Sequence, residues 1–306
     1  MIAAFETALA RARLPYVALA LLVYAMSVPL AALRWRQILR GLNQRLPLGR
    51  LILANLAASF VNNVTPAARV SGEACRVVAL VRTGLSTVAS TASVAYERLS
   101  EAPAVGVLAI VTFLALGRTA TLERIHSAWP LAAWISSRLL VATLVAIALG
   151  AVALWRSGAI GRWTRAIRME RASLFEAASI TPSALAASAA LSSVLWALDV
   201  VRLRFAAAAI RAPIGLREAA ALSAITIVAG WVPTIGGLGA VEGGLIAGLI
   251  AFGVAPADAA AVTAIERGIS YGLVSIAGAT ALSALGGRTL WEAVRMRTQT
   301  GEGVRP

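Results

Sequence analysis

The chain has 306 residues, 59% of them hydrophobic, and a mean hydropathy of +0.80. Soluble domains average about 45–50% apolar residues, so this composition excludes a soluble globular fold and reads as an integral membrane protein. The formal net charge is +14 and all 28 basic residues are Arg; lying mostly between apolar runs, they fit loops on anionic lipid and argue against a nucleic-acid partner.

The first apolar run, residues 14–33, is long enough to cross about 30 Å of hydrocarbon. It outruns a signal-peptide core and ends in Arg34-Trp35-Arg36 with no small-residue cleavage site, which predicts an uncleaved helix. A basic connection with Arg34, Arg36, Arg40, Arg45 and Arg50 follows. Run 51–81 is interrupted by Asn62-Asn63 and Pro66 and then carries Arg69, Gly72, Glu73 and Arg76. Proline removes a backbone donor, and broken backbone at membrane depth survives only where protein or a water-filled cavity satisfies it. The run therefore predicts a broken, re-entrant hairpin.

Run 86–117 reads as a long helix bearing Glu97-Arg98. Run 129–155 is a further span, followed by Arg156, Arg162, Arg165, Arg168 and Arg171. Run 183–201 is another. Run 222–252 is broken by Pro233 and by Gly236-Gly237-Leu238-Gly239 before Glu242, which predicts a second broken hairpin. Run 257–285 carries Glu266-Arg267, and residues 291–306 form a polar cytoplasmic tail.

These elements repeat. Gly84 follows Glu73 by 11 residues and Glu97-Arg98 comes 13 later; Gly253 follows Glu242 by 11 and Glu266-Arg267 comes 13 later. Arg34-Trp35-Arg36 matches Arg202-Leu203-Arg204, and Pro47-Leu48-Gly49 matches Pro213-Ile214-Gly215. The expected fold is an all-α polytopic bundle in one domain, residues 1–290, with repeats over 14–118 and 183–285. If neither broken run makes a net crossing, three arginine clusters share the cytoplasmic side and Arg202, Arg204, Arg211 and Arg217 fall opposite. An inverted second half accounts for that exception; a miscounted crossing is the alternative.

Ionised groups in such apolar sequence are costly unless paired or facing a polar cavity. Arg69, Glu73 and Arg76 lie three and four residues apart and share a helix face. They read either as an arginine-lined site for a lipid phosphate, with Glu73 holding the guanidinium groups, or as a structural plug. The glycines before Glu242 expose a helix start that attracts anionic headgroups, while Gly244-x-x-x-Gly248 permits close packing. Adjacent residues on a helix point about 100° apart, so Arg98 and Arg267 are expected to cross-pair with the hairpin glutamates, and Glu97 and Glu266 to reach other helices. Asp199 reads as a further partner in this pairing or, by preference, as a snorkelling, solvated group.

Gly237-x-Gly239 has neither a preceding strand nor a third glycine and is no dinucleotide fingerprint. Asn63-Val64-Thr65 matches a glycosylation sequon, which a membrane hairpin would not use. With Cys75 and His126 the single Cys and His, no intrachain disulfide, Cys/His metal cluster or nucleophile–base–orienter set is available. No enzyme activity, metal or cofactor is expected.

Pro66 through Gly72-Glu73 and Arg76, then Glu97-Arg98, Pro233, Gly236-Gly237-Leu238-Gly239, Glu242-Gly243 and Arg267 together resemble the membrane domain of lysylphosphatidylglycerol synthases. The resemblance runs from about Leu14 to Leu285 and is most specific at Gly-Gly-Leu-Gly-x-x-Glu-Gly. Members often carry a tighter Pro-x-Arg-x-Gly-Glu pattern, which Ala68 and Ser71 loosen here. The resemblance implies a stand-alone flippase-like protein of a bacterial or archaeal cytoplasmic membrane, without the soluble aminoacyltransferase domain. Its implied partners are membrane lipids: an anionic or aminoacylated phospholipid, a glycolipid or an isoprenoid lipid. Two roles stay open, lipid translocation or presentation of lipid to a separate lipid-modifying enzyme.

Overall fold

The computed structural model describes residues 2–66, 70–116, 180–230, 232 and 234–286. The run at 129–155, the arginines from Arg156 to Arg171, Arg69, Pro233 and the tail lie outside them. Among the described residues the chain is helical throughout, with no strand.

The helices are α1 (Ile2–Ala10), α2 (Leu14–Gly41), α3 (Leu48–Val64), α4 (Val70–Val81), α5 (Thr87–Leu116), α6 (Pro182–Ala209), α7 (Leu216–Ala229), α8 (Ala240–Ala251), α9 (Pro256–Arg267) and α10 (Val274–Ala284). A short 3-10 turn, Ile235–Gly237, precedes α8, and a π-helical stretch, Gly268–Leu273, joins α9 to α10 without interruption. Prolines sit in the first turns of α2, α6 and α9, where the missing donor is harmless. Helices α2 and α6 are long and apolar enough to cross a membrane.

Among the described residues several elements of the two sequence repeats correspond. Helices α2 and α6 have 28 residues each, α4 and α8 have 12 each, and α5 corresponds to α9, the π stretch and α10 together. The backbone Arg13 N–H donates to Ala209 O at the start of α2 and end of α6, and Thr181 N–H donates to Gly41 O at the opposite ends. The two bonds join equivalent positions, so α2 and α6 are antiparallel about a local two-fold. Among the described residues their contact is the most extensive.

Other helices also pack across the halves. Helix α5 packs on α7 of the second half, and α10 packs on α3 of the first. Small residues permit these approaches, as in membrane bundles generally. At Gly278 a Cβ would run into the Leu56 carbonyl and Phe60 on α3, and at Gly248 one would stand 2.5 Å from Leu222 on α7. Gly244 and Gly248 thus serve packing.

The breaks differ in detail from the sequence expectation. Asn63 lies inside the last turn of α3, and the helix ends where Thr65 turns extended before Pro66. Gly72 is not a break either: it lies inside α4, buried, where a Cβ would meet the Asn62 side chain. Asn62 Oδ1 uses that proximity to accept from Gly72 N–H at 2.7 Å, bridging the first break. In the second break Gly236, Gly237 and Gly239 all take positive φ, of 58°, 74° and 83°, which only glycine adopts freely.

Candidate functional site: a paired ion network around a polar cavity

Arg34 on α2 and Arg202 on α6 occupy the same position in two equal helices, and both are buried. Glu97 on α5 and Glu266 on α9 are likewise equivalent and buried. Arg34 pairs with Glu97, and Arg202 pairs with Glu266 at 2.6 Å, so each half builds the same bond between its first and last helices. A second equivalent pair links the break helices: Arg98 bonds Glu73 on α4, and Arg267 bonds Glu242 on α8 at 2.5 Å. The expected cross-pairs of Arg98 and Arg267 are therefore present. Arg34 and Arg202, read from sequence as loop charges, instead belong to the core of the network.

The halves then diverge. In the first, Arg34, Glu97, Arg76, Glu73, Arg98 and Glu101 form a closed ring of alternating charge, each ion touching two of opposite sign. Three arginines meet three glutamates, so the ring is neutral. The Arg76 guanidinium also lies 4.0 Å from the centre of the Trp35 ring, whose Nε1 donates to Ser93. Among the described residues nothing in the second half replaces Arg76. There Arg202 joins Asp199 and Glu266, while Arg267 joins Glu242, so two arginines meet three carboxylates in two separate groups. Asp199 bonds Arg202 at 2.6 Å, which favours the partner reading over the solvated one.

Glu242 has a further duty. Its Oε2 accepts from Gly239 N–H at 2.6 Å, so the exposed helix start that sequence offered to an anionic headgroup is filled by the chain's own carboxylate. Arg267 donates to the Gly236 carbonyl at 3.0 Å, tying α9 to the second break. Tyr271, in the π stretch, donates its hydroxyl to the Asn63 carbonyl, while Asn63 Nδ2 donates to Ser275 Oγ at 2.9 Å. A Cβ at Gly236 would collide with Tyr271 and stand 2.9 Å from Asn63 O. The two breaks, far apart in sequence, therefore meet at one junction. Single π turns inside helices often mark functional sites.

This junction closes one side of a cavity of about 390 Å³ with mostly polar walls. Arg98 and Arg267 both line it, as do Asp199, Arg202, Glu266 and Asn62. Arg98 and Arg267, at matching places in the sequence repeat, thus face one cavity. A second, more apolar cavity of about 230 Å³ lies between α2, α3 and α6 and shares Tyr24, Ser59, Trp196, Asp199 and Arg202 with the first. Asn55 Nδ2 beside the apolar cavity and Thr234 Oγ1 beside the polar one are buried polar atoms with no partner among the described residues. Among the described residues no group of His, Cys, Asp and Glu could hold a metal.

The family model for the lysylphosphatidylglycerol synthase TM region matches residues 1–278. The chain belongs to that family. A UPF0104 membrane protein of Methanothermobacter thermautotrophicus is 27% identical, over 92% of this chain and 88% of its own length. A UPF0104 membrane protein of Pyrococcus horikoshii is 38% identical over a shorter stretch, 22% of this chain and 20% of its own. The family membership, helical fold and hydropathy together make this a membrane protein with a lipid-related setting.

Of the site residues read from sequence, the network gathers Glu73, Arg76, Glu97, Arg98, Glu242, Glu266 and Arg267; Arg69 lies outside the described residues. Sequence reading missed Arg34, Arg202, Glu101, Tyr24 and Tyr271. The signal for the first two was available, because the matched Arg-x-Arg triplets repeat in register, but a basic triplet at the end of an apolar run looks like a loop.

Proposed function

We propose that this protein moves a membrane lipid between leaflets of a bacterial or archaeal cytoplasmic membrane. The observation that carries the reading is the polar cavity lined by Arg98 and Arg267, one from each half, and joined to an apolar cavity. A polar chamber with an apolar annex suits an amphipathic molecule, its headgroup among Arg98, Arg202, Arg267 and Asp199 and its chain beside Trp196 and Leu56. The unpartnered Asn55 and Thr234 atoms are ready hydrogen-bonding groups for it.

The antiparallel pairing of α2 and α6 supports an inverted-topology repeat, because both helices are long enough to cross the membrane and run in opposite directions. Each break segment then acts as a gate on its own side. The closed ring makes the first half the stiffer one, since moving α4 breaks several ion pairs. The second half, held by the Glu242–Arg267 pair and the Tyr271–Asn63 junction, is the part that moves. The arginines are already neutralised by carboxylates, so a headgroup enters by exchanging partners with them, not by meeting bare charge.

Lipidomics on the gently extracted protein tests the site. Wild type is expected to carry one lipid class enriched over the bulk membrane, and Glu73→Gln/Glu242→Gln to lose that enrichment. Equal, bulk-like lipid in both would remove the cargo site and leave the network as scaffolding for a lipid-presenting partner.

A further inference from the structure

The end of α2 carries Arg36, Arg40 and Arg45 around a cavity of about 590 Å³, which Asn43 and Leu46 also line. No Asp or Glu occurs between residues 7 and 72, and none of the described residues lining this cavity is acidic. Leu46 also lines a neighbouring groove of about 330 Å³, whose floor is Leu53, Leu80, Ala284 and Leu285 and whose mouth holds Arg50 and Arg82. Arg82 fixes the groove's edge by donating to the Leu285 carbonyl at 3.3 Å. A basic cavity thus opens into an apolar groove through one shared leucine. Among the described residues neither shares a lining residue with the central polar cavity.

The local two-fold provides an internal control. The equivalent connection in the second half holds Arg211 and Arg217, but Glu218 lies among them and accepts from Gly215 N–H at 2.8 Å, and Ala208 stands where the first half has Arg40. At the same end as α1, Arg11 is paired with Asp258. A general need for loop charge would be met at either end. The unpaired basic cavity beside an apolar groove is built at one end alone among the described residues.

We propose that this rim is a second lipid site, specific for an anionic phospholipid. The phosphate lies among Arg36, Arg40 and Arg45, and an acyl chain passes Leu46 into the groove under Arg50 and Arg82. Multiple arginines recognise a phosphate diester through charge-assisted hydrogen bonds, and the groove makes the lipid, not a free phosphate, the better ligand. The lipid bound here is a resident: its site lies off the two-fold and outside the network that the transport reading uses.

Native mass spectrometry of the full chain in non-ionic detergent, titrated with dioleoylphosphatidylglycerol, dioleoylphosphatidylcholine and glycerol phosphate, tests this. Wild type is expected to bind phosphatidylglycerol over phosphatidylcholine. Arg36→Gln/Arg40→Gln/Arg45→Gln should weaken phosphatidylglycerol binding roughly a hundredfold, at about one order per one to two arginines. Ala284→Trp, at an exposed position, should fill the groove and weaken it several-fold with the fold intact. Glu73→Gln/Glu242→Gln should leave this binding unchanged, separating the rim from the central cavity. Undiminished phosphatidylglycerol binding in the triple variant overturns the proposal. So does glycerol phosphate binding as tightly as the lipid with no response to Ala284→Trp, which would make the rim a free-anion site.

Discussion

Glu97 is the residue on which the first half depends. It is 1% exposed and bonds both Arg34 and Arg76, themselves buried. Removing one partner of a buried ion pair leaves an uncompensated charge and costs about 3–5 kcal/mol. Glu97→Gln should therefore lower the thermal unfolding midpoint in detergent markedly, whereas Glu101→Gln, at the wetter edge of the same ring, should lower it less. Equal midpoints for the two variants would contradict the ring as a buried unit. Gly236 tests the junction in the same way. Its φ of 58° costs a residue with a side chain about 1–2 kcal/mol. A Cβ there also collides with Tyr271. Gly236→Ala should destabilise the junction and raise the accessibility of Asn63→Cys to a water-soluble thiol reagent, in a Cys75→Ser background. Much of this was legible in sequence: the twin Glu and Glu-Arg spacing singled out most of the network. The partners were not, because Arg34 and Arg202 look like loop charges until the length of their helices carries them into the core.

At the scale of elements, the break segments and the π stretch form one mechanical unit. Asn63 closes α3 and Gly236 shapes the second break; Tyr271 of the π stretch and Ser275 of α10 bond Asn63, while Arg267 of α9 bonds the Gly236 carbonyl. Because Asn63 Nδ2 and Ser275 Oγ stand 2.9 Å apart, cysteines at both positions in the Cys75→Ser background should cross-link on oxidation. If opening of this junction gates the cavity, the cross-link should arrest lipid movement and reduction should restore it; full activity in the cross-linked protein would mean that the gate lies elsewhere. Helix existence was well specified by hydropathy, and α5 occupies nearly the whole of its predicted run. The ends were not. Helix α2 continues from its apolar run through Arg34, Arg36 and Arg40 to Gly41, since Arg34 is neutralised by Glu97 and Glu101 and the others reach the polar end. Gly72 looked like a breaker and is a contact point, a distinction that only the neighbouring Asn62 reveals.

For the whole molecule, the reciprocal packing of α5 on α7 and α10 on α3 makes neither half a separate body. Each half needs the other to bury its helices, and the cavity exists only between them. Hydropathy and charge could suggest this arrangement but not establish it, because the sign of a loop constrains its side of the membrane and says nothing of which helices touch. In the inverted reading, Arg45→Cys and Arg211→Cys, each in the Cys75→Ser background, should label from opposite faces of sealed vesicles; labelling of both from one face would refute the inversion.

Lipid movement itself is the central claim, and it is measured most directly in proteoliposomes. The lipid class that co-purifies with the protein would be supplied in fluorescent form and its outer-leaflet fraction bleached with dithionite. Wild type should render the inner-leaflet pool accessible, and Glu73→Gln/Glu242→Gln, confirmed folded, should return it to the protein-free level. Wild-type vesicles that bleach no further than empty ones, or a double variant as active as wild type, would contradict the account.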